Sequence, residues 1–408
     1  MLKEFKMKKV LASILPLLFY IPISYAQDGT VCQTPVIKIA GPRQVVFNYN
    51  QDRCNATDTF DTPAMAFKDA NGTVHLFSGI AGSYMSVGSS LDTVRRDCSR
   101  PYSNYEPADN ATAASFDNWK WYRSPWTEDG VTIYSLVHNE FHGWSMNPGA
   151  NCPSNDQNAC LFPSVTVAKS TDSGKTFNIV RDASGNVELG MVTPYAYTPD
   201  GGNLHKQLGV RAPTNIISRM VDGKKYYFLL AANRGGMAQK GGTCLYRSDD
   251  VSDPTHWRAW DGNGFNVVVN ATAYRDANID PRQHICTPVF KNDPSSWTYN
   301  TVLNQYIAVV GINEGGEGFG YVFSNDMIHW SEPQLLMQTT LKAYQASRRG
   351  SNVVGQTYPS IIDPQSAGLN FEYSGSNPYL YFTRFNPKAG NWHNRDLIRV
   401  PLQVSCGS

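Results

Sequence analysis

An excess of charge of either sign is the first thing this chain lacks. Its 408 residues carry 35 Lys and Arg against 34 Asp and Glu, and only 17% of residues are charged. Without a basic excess there is no electrostatic argument for a nucleic-acid partner or an anionic membrane surface. Long apolar runs are equally scarce. One spans Val10 to Ile23, and nothing after it approaches the roughly 20 residues that a membrane-crossing helix needs. The eight cysteines include no CxxC pair, so a thiolate zinc site is not expected. No HExxH motif occurs. The glycine-rich stretches at 233–242 and 313–320 lack both phosphate-cradle spacing and a following helix, so nucleotide binding is not expected.

What the chain does contain begins with an export signal. Lys8 and Lys9 precede the apolar run, and Ser24-Tyr25-Ala26 forms a small-x-small cleavage site, so the mature chain is expected to start at Gln27. Met7 opens a complete signal by itself. Cleavage removes four basic residues and one acidic one, leaving 31 against 33. The expected product is a secreted or periplasmic monomer, free of the membrane. Cys32, Cys54, Cys98, Cys152, Cys160, Cys244, Cys286 and Cys406 all lie in the exported part, where an even count points to disulfides. Eight cysteines allow 105 pairings, and spacing selects none. The pairing carried forward is Cys32 with Cys406, Cys54 with Cys98, Cys152 with Cys160 and Cys244 with Cys286. Asn55, Asn71, Asn110 and Asn270 head Asn-x-Thr sites, relevant in a host with that machinery.

Gly at 33 residues, Pro at 24 and 12% aromatic residues favour turns and strands over long helices. A degenerate repeat organises them. Five prolines follow a distinctive side chain by two residues: Asp61 before Pro63, Arg123 before Pro125, Arg211 before Pro213, Cys286 before Pro288 and Thr357 before Pro359. Each leads to a strand-like run, at 74–80, 131–137, 225–231, 305–311 and 379–385. In three segments a Ser-x-Asp turn follows (170–172, 248–250, 324–326), with an aromatic residue soon after. Turn chemistry accounts for these residue types, so they read as structural staples. The predicted fold is all-β, a five-bladed β-propeller with blades near 58–120, 121–185, 208–262, 283–337 and 355–404. Its axis would gather Asp61, Arg123, Arg211, Cys286 and Thr357, together with the second-strand ends Glu140, Arg234, Glu314 and Arg384.

The stretch richest in chemistry is Val131 to Gly143, a β-branched and aromatic run whose tip is His138, Asn139, Glu140, Phe141, His142. On an unbroken strand His138, Glu140 and His142 share one face. A carboxylate between two imidazoles suits proton transfer. The same three groups also have metal-ligand character, although polar glycan contacts explain them equally well. Trp119, Trp121, Trp126 and Trp144 surround the stretch in sequence and offer faces on which sugars pack.

SNDMIHWSEP, SDDVSDPTHW, DTPAMAF, YPSIID and PYLYFTR resemble blade motifs of the secreted five-bladed propeller glycosidases, the arabinanase, xylosidase and invertase superfamily. STDSGKTF is similar to the Asp box of sialidases. The resemblance spans Asp58 to about Leu402 and implies a glycoside hydrolase with two carboxyl groups across a pocket. Asp61 matches the superfamily's first-blade Asp and is the expected base or nucleophile. Glu140 is the favoured acid, with Glu314 in INEGGEGFG as its rival. A middle-blade Asp has no counterpart, since Arg211 and Cys286 stand in the corresponding places. His138, His142, Arg123, Arg211, Arg234 and Arg384 are the expected substrate-binding residues, because a planar guanidinium suits a carboxylate or sulfate. No cofactor is required, and a bound calcium ion is compatible with the pocket. The expected partner is a poly- or oligosaccharide, and the arginines invite an anionic one. Two rivals stand beside hydrolysis: a non-catalytic glycan-binding propeller and a sialidase-like hydrolase.

Overall fold

Nearly all regular structure is β, as the β-branched and aromatic runs require. The computed structural model describes residues 30–77, 79–104, 112–270, 278–312, 317–339, 352–386 and 391–407. The expected signal segment, Glu314 and Asn110 lie outside them. Within the described residues the strands form five sheets. Their innermost strands are Met65–Lys68, Trp119–Thr127, Ile217–Val221, Pro294–Asn300 and Gln356–Ile362. The second strands are Val74–Phe77, Ile133–His142, Lys224–Asn233, Gln305–Ile312 and Tyr379–Phe385, which fall on the five strand-like runs of the repeat.

Successive side chains leave a strand on opposite faces, so each sheet feeds two cores. In the third sheet, Leu229 and Ala231 join Leu136 and Val165 of the second, whereas Phe228 and Leu230 join Trp297 and Ala308 of the fourth. Ile307 and Val309 of the fourth then meet Leu380 and Phe382 of the fifth. Tyr381 and Leu397 of the fifth pack on Ala66 and Leu76 of the first, and Phe67 and Phe77 of the first pack on Tyr122 and Val137 of the second. Each sheet therefore packs on the next until the ring closes, which is the architecture of a β-propeller.

The two chain ends meet in the fifth sheet. Pro35–Ile39 pairs along Arg395–Cys406, from Pro35 opposite Cys406 to Ile39 opposite Leu402, and Gln44–Phe47 pairs with the same long strand. The blades expected from the repeat leave this N-terminal contribution out. The Cys32–Cys406 disulfide fastens the seam, and Cys54–Cys98, Cys152–Cys160 and Cys244–Cys286 also form. Four disulfides suit an extracellular or periplasmic protein. No helix among the described residues is long and apolar enough to cross a membrane.

The repeat prolines mark places where inner strands are interrupted. Ser124, Ala212 and Tyr358, each directly before a repeat proline, have φ of 46°, 55° and 57°. Proline disfavours the right-handed helical region for the residue before it. The left-handed region adopted instead strains a residue with a side chain. Pairing slips between Arg123 and Pro125 and between Thr357 and Ser360, as a bulge requires. The fourth repeat needs correction. Cys286 does not open the fourth inner strand; it is tied to Cys244 in the core between the second and third sheets. That strand opens at Pro294, with Asp293 directly before it.

The far end of the axis is closed by residues 363–375. The Lys68 N–H donates to the Leu369 carbonyl, and Asn370 exchanges two 2.9 Å hydrogen bonds with the backbone of Thr127. The Glu372 carboxylate accepts the Ser218 N–H at 2.6 Å, while Asn300 Nδ2 donates to Ser374 Oγ at 3.0 Å. The segment that links Gln356–Ile362 to Tyr379–Phe385 in the fifth sheet thus bonds to the inner strands of the other four sheets. The opposite end, where Asp61, Arg123, Arg211, Asp293 and Tyr358 lie, forms the mouth.

Candidate functional site

The pairing of Trp119–Thr127 with Ile133–His142 builds one wall of the mouth. Trp119 lies opposite Glu140 and Trp121 opposite His138. Because the strand continues unbroken through His142, alternation puts His138, Glu140 and His142 on one face with the two indoles. The rings pack accordingly. His142 stacks between Trp119 (5.5 Å) and Trp144 (4.2 Å), and Trp121 lies 5.9 Å from His138 and 6.1 Å from His142. Trp126 is not part of this wall. It is buried in the core between the second and third sheets.

Glu140 is held at both oxygens. His138 Nε2 lies 2.8 Å from Oε1 and His142 Nε2 lies 2.7 Å from Oε2. Burial pushes this carboxyl toward protonation, but the two imidazole hydrogen bonds and charges outweigh it and hold the group well below its ordinary pKa. His138 goes the other way. Burial lowers its pKa against the pull of Glu140, and Arg123 and Arg211 add to the lowering. The Ala212 N–H donates to His138 Nδ1 at 3.4 Å, so a neutral His138 carries its proton on Nε2 and donates to Glu140. Both imidazole contacts favour the carboxylate form of Glu140.

Asp61 reaches the same pocket from the first sheet. Its Oδ2 accepts the Trp121 indole N–H at 2.8 Å, and its Oδ1 accepts from Arg395 Nη1 at 2.6 Å and from the Tyr358 hydroxyl at 3.2 Å. Trp121 therefore joins the two carboxylate sites, touching Asp61 through its N–H and the histidines through its ring. Arg395 is fully buried, at 0% exposure. Beside it, burial and then the Arg395 charge lower His393 to about 4, so this imidazole is neutral.

The four expected arginines divide. Arg384 bonds Asp396 at 2.7 Å across two strands, a structural pairing within the fifth sheet. Arg211 pairs with Asp293. Arg234 donates to the Asn158 carbonyl at 3.3 Å, and burial and then Arg211 lower its pKa, against Glu140 and Asp293, which lie close enough to raise it. Arg123 differs from all of them. Its Nη2 donates at 3.2 Å to the carbonyl of Ser295, so the side chain crosses from the second sheet to the fourth, past the third. It is 4% exposed, its Nε has no hydrogen-bond partner, and no carboxylate pairs with it among the described residues. Burial lowers its pKa to about 9, which leaves it a cation at neutral pH.

The structure thus brings Asp61, Glu140, His138, His142, Arg123, Arg211 and Arg234 to one mouth and ties Arg384 into a sheet. Sequence reasoning missed Arg395, Tyr358, His393 and Asp293. Asp293 carried a signal, since it directly precedes a proline in the fourth segment; the others carried none. The mouth carboxylates hold N–H and O–H donors rather than contributing to the oxygen-rich shell that calcium takes. Cys152, Cys160 and Asp200 lie close enough to hold a metal ion, but both cysteines are committed to a disulfide.

No family model and no curated protein matches the chain. Among solved structures it is similar to the catalytic domain of a GH62 α-L-arabinofuranosidase from Coprinopsis cinerea, at 10% identity and TM-score 0.44, covering 92% of this chain and 99% of that one. It is also similar to an α-L-arabinofuranosidase from Podospora anserina, at 11% identity and TM-score 0.44 over 92% and 99%. A third likeness is an N-acetylgalactosamine deacetylase from F. plautii, at 13% identity and TM-score 0.41 over 90% and 95%. Likeness of this extent assigns no residue a role.

Proposed function

We propose that the axial mouth binds an acidic saccharide and hydrolyses a glycosidic bond in it. The observation that carries this reading is Trp121, which places the Asp61 carboxylate and the histidine-bound Glu140 carboxylate around one indole. Glycosidic cleavage needs a carboxylate to activate water or attack the anomeric carbon, and a proton donor for the leaving oxygen. Asp61 takes the first part. The His138–Glu140–His142 cluster takes the second, and Trp119, Trp121 and Trp144 offer the faces on which a sugar ring packs. Arg123 narrows the substrate. A buried guanidinium without a carboxylate partner is completed by an anionic group of the ligand, a carboxylate or sulfate. The chemistry uses no cofactor.

Incubating the exported protein with neutral, uronic and sulfated glycosides, beside Asp61→Asn, tests the reading. Release of sugar from an acidic substrate by the parent alone supports it. The second reading is a glycan-binding propeller without catalysis, and it has its own observation: three donors already occupy Asp61. Retention of acidic glycans by both proteins, with release by neither, decides for it.

A further inference from the structure

We infer that His142 is the group that delivers the proton to the leaving oxygen, and that Glu140 is the positioning carboxylate behind it. The inference rests on the hydrolase reading above. It starts from the bookkeeping of nitrogen atoms around Glu140. Each of its oxygens meets one imidazole Nε2. The outer nitrogen of His138 is also taken, by the Ala212 N–H. The outer nitrogen of His142, Nδ1, has no hydrogen-bond partner among the described residues, and the side chain is 15% exposed. Of the two imidazoles, His142 alone has a nitrogen left with which to give a proton to a substrate; Glu140, 20% exposed, keeps a second lone pair on each oxygen but as a carboxylate has no proton to give.

Its setting constrains the plane of the ring. The ring is stacked between Trp119 and Trp144, and its backbone N–H donates to Asn118 Oδ1 at 3.1 Å. The Cys152–Cys160 disulfide packs against Trp144, and the Gly143 N–H donates to the Cys160 carbonyl, so the covering indole is itself anchored. Among the described residues, these charged groups lie near the ring. Glu140 shares its strand, Asp117 at the approach to the inner strand is neutralised by Lys120 and Arg181, and Arg234 of the third sheet lies near Glu140.

In the reacting form His142 is an imidazolium whose Nε2–H is held by Glu140 and whose Nδ1–H faces the glycosidic oxygen. As the bond from the anomeric carbon to that oxygen breaks, the Nδ1 proton passes to the oxygen and its bonding electrons stay with the leaving alcohol. Water adds to the anomeric carbon and gives its proton to Asp61. Transfer of that proton through solvent back to His142 restores both groups, and the balance is one water consumed per bond. Glu140 gains and loses nothing.

Two measurements test the assignment, one of them independent of any substrate. In ¹⁵N and ¹³C NMR of the intact protein, both imidazoles should show Nε2 protonated at neutral pH. On acidification the Glu140 carboxyl carbon should stay at its ionised shift through the ordinary carboxylate range, because both imidazole contacts hold it there. A Glu140 carbon that titrates near neutral pH, with His142 unchanged, would overturn the assignment whatever the substrate proves to be. On an acidic aryl glycoside with a poor leaving group, His142→Gln should lose roughly 100-fold or more in kcat. Glu140→Gln should lower kcat less than His142→Gln does, because it removes a positioning carboxylate and leaves the donor nitrogen in place. Abolition in Glu140→Gln at every pH, beside an active His142→Gln, would make Glu140 the acid. Absence of turnover with every glycoside bears on the hydrolase reading alone, and the NMR result still stands or falls.

Discussion

The bond between Asp61 and Arg395 allows the stabilising and the chemical contributions of one carboxylate to be separated. Arg395 is fully buried, and Asp61 is the carboxylate it faces. Asp61→Asn takes a carboxylate away from that cation and sets an amide among three donors, from Arg395, Trp121 and Tyr358. Removing one partner of a buried pair costs about 3–5 kcal/mol. At about 2.1 cal/mol/K of unfolding entropy per residue, the roughly 380 residues beyond the signal give ~0.8 kcal/mol/K, so Tm should fall by about 4–6 °C. Adding Arg395→Met removes the buried charge as well, and most of the loss should return, because replacing both members of a buried pair is close to neutral. Turnover should not return with it, remaining roughly 10²–10⁴-fold below the parent. Differential scanning calorimetry and a glycosidase assay on the single and double variants read the two quantities separately. Recovery of activity together with Tm would show that Asp61 serves only to neutralise Arg395. A single variant as stable as the parent would refute the electrostatic reasoning itself.

Arg123→Met should leave Tm unchanged or raised, because an unpaired buried cation is replaced by an apolar chain of similar length. The same change should weaken binding of an acidic saccharide by roughly 10- to 100-fold in isothermal titration, with neutral saccharides unaffected; a drop in Tm with unaltered binding would make Arg123 a structural residue. Burial raises the Glu372 carboxyl of the axial plug from 4.5 to about 7, against two hydrogen bonds from Ser218. Between those values the folded state binds more protons than the unfolded one, so this group's contribution to stability falls as pH rises from about 4.5 to 7 and is flat above. Glu372→Gln should flatten that slope in Tm measured across the range, and an unchanged slope would exclude Glu372 as its source. The Cys32–Cys406 disulfide closes a separation of 374 residues, so replacing both cysteines by serine should destabilise the ring by roughly 5 kcal/mol. Hydrogen exchange should show Pro35–Ile39 opening first in that variant, and exchange no faster than elsewhere would mean that strand pairing alone holds the seam.

The ring was legible because its signals are local. The run at 225–231 holds apolar residues at successive positions, and a strand buried on both faces needs that pattern: Phe228 and Leu230 serve one interface, Leu229 and Ala231 the other. The face shared by His138, Glu140 and His142 followed from strand period alone. What sequence could not show is what stands opposite those groups. The protonation state of Glu140 depends on both imidazoles turning Nε2 toward it. The tautomer of His138 depends on the Ala212 N–H, which a left-handed residue before Pro213 brings from the next sheet. Arg123 and Arg384 read alike along the chain, each an arginine at an axial strand end. Across the sheet they differ, since Arg384 meets Asp396 on the neighbouring strand while Arg123 extends to a carbonyl two sheets away. Chemistry at this mouth is set by contacts between blades, and these join residues as far apart as Asp61 and Arg395. A degenerate repeat conceals such pairs, because the position two before the repeat proline carries Asp61, Arg123 and Arg211 in turn, and these meet Arg395, the Ser295 carbonyl and Asp293.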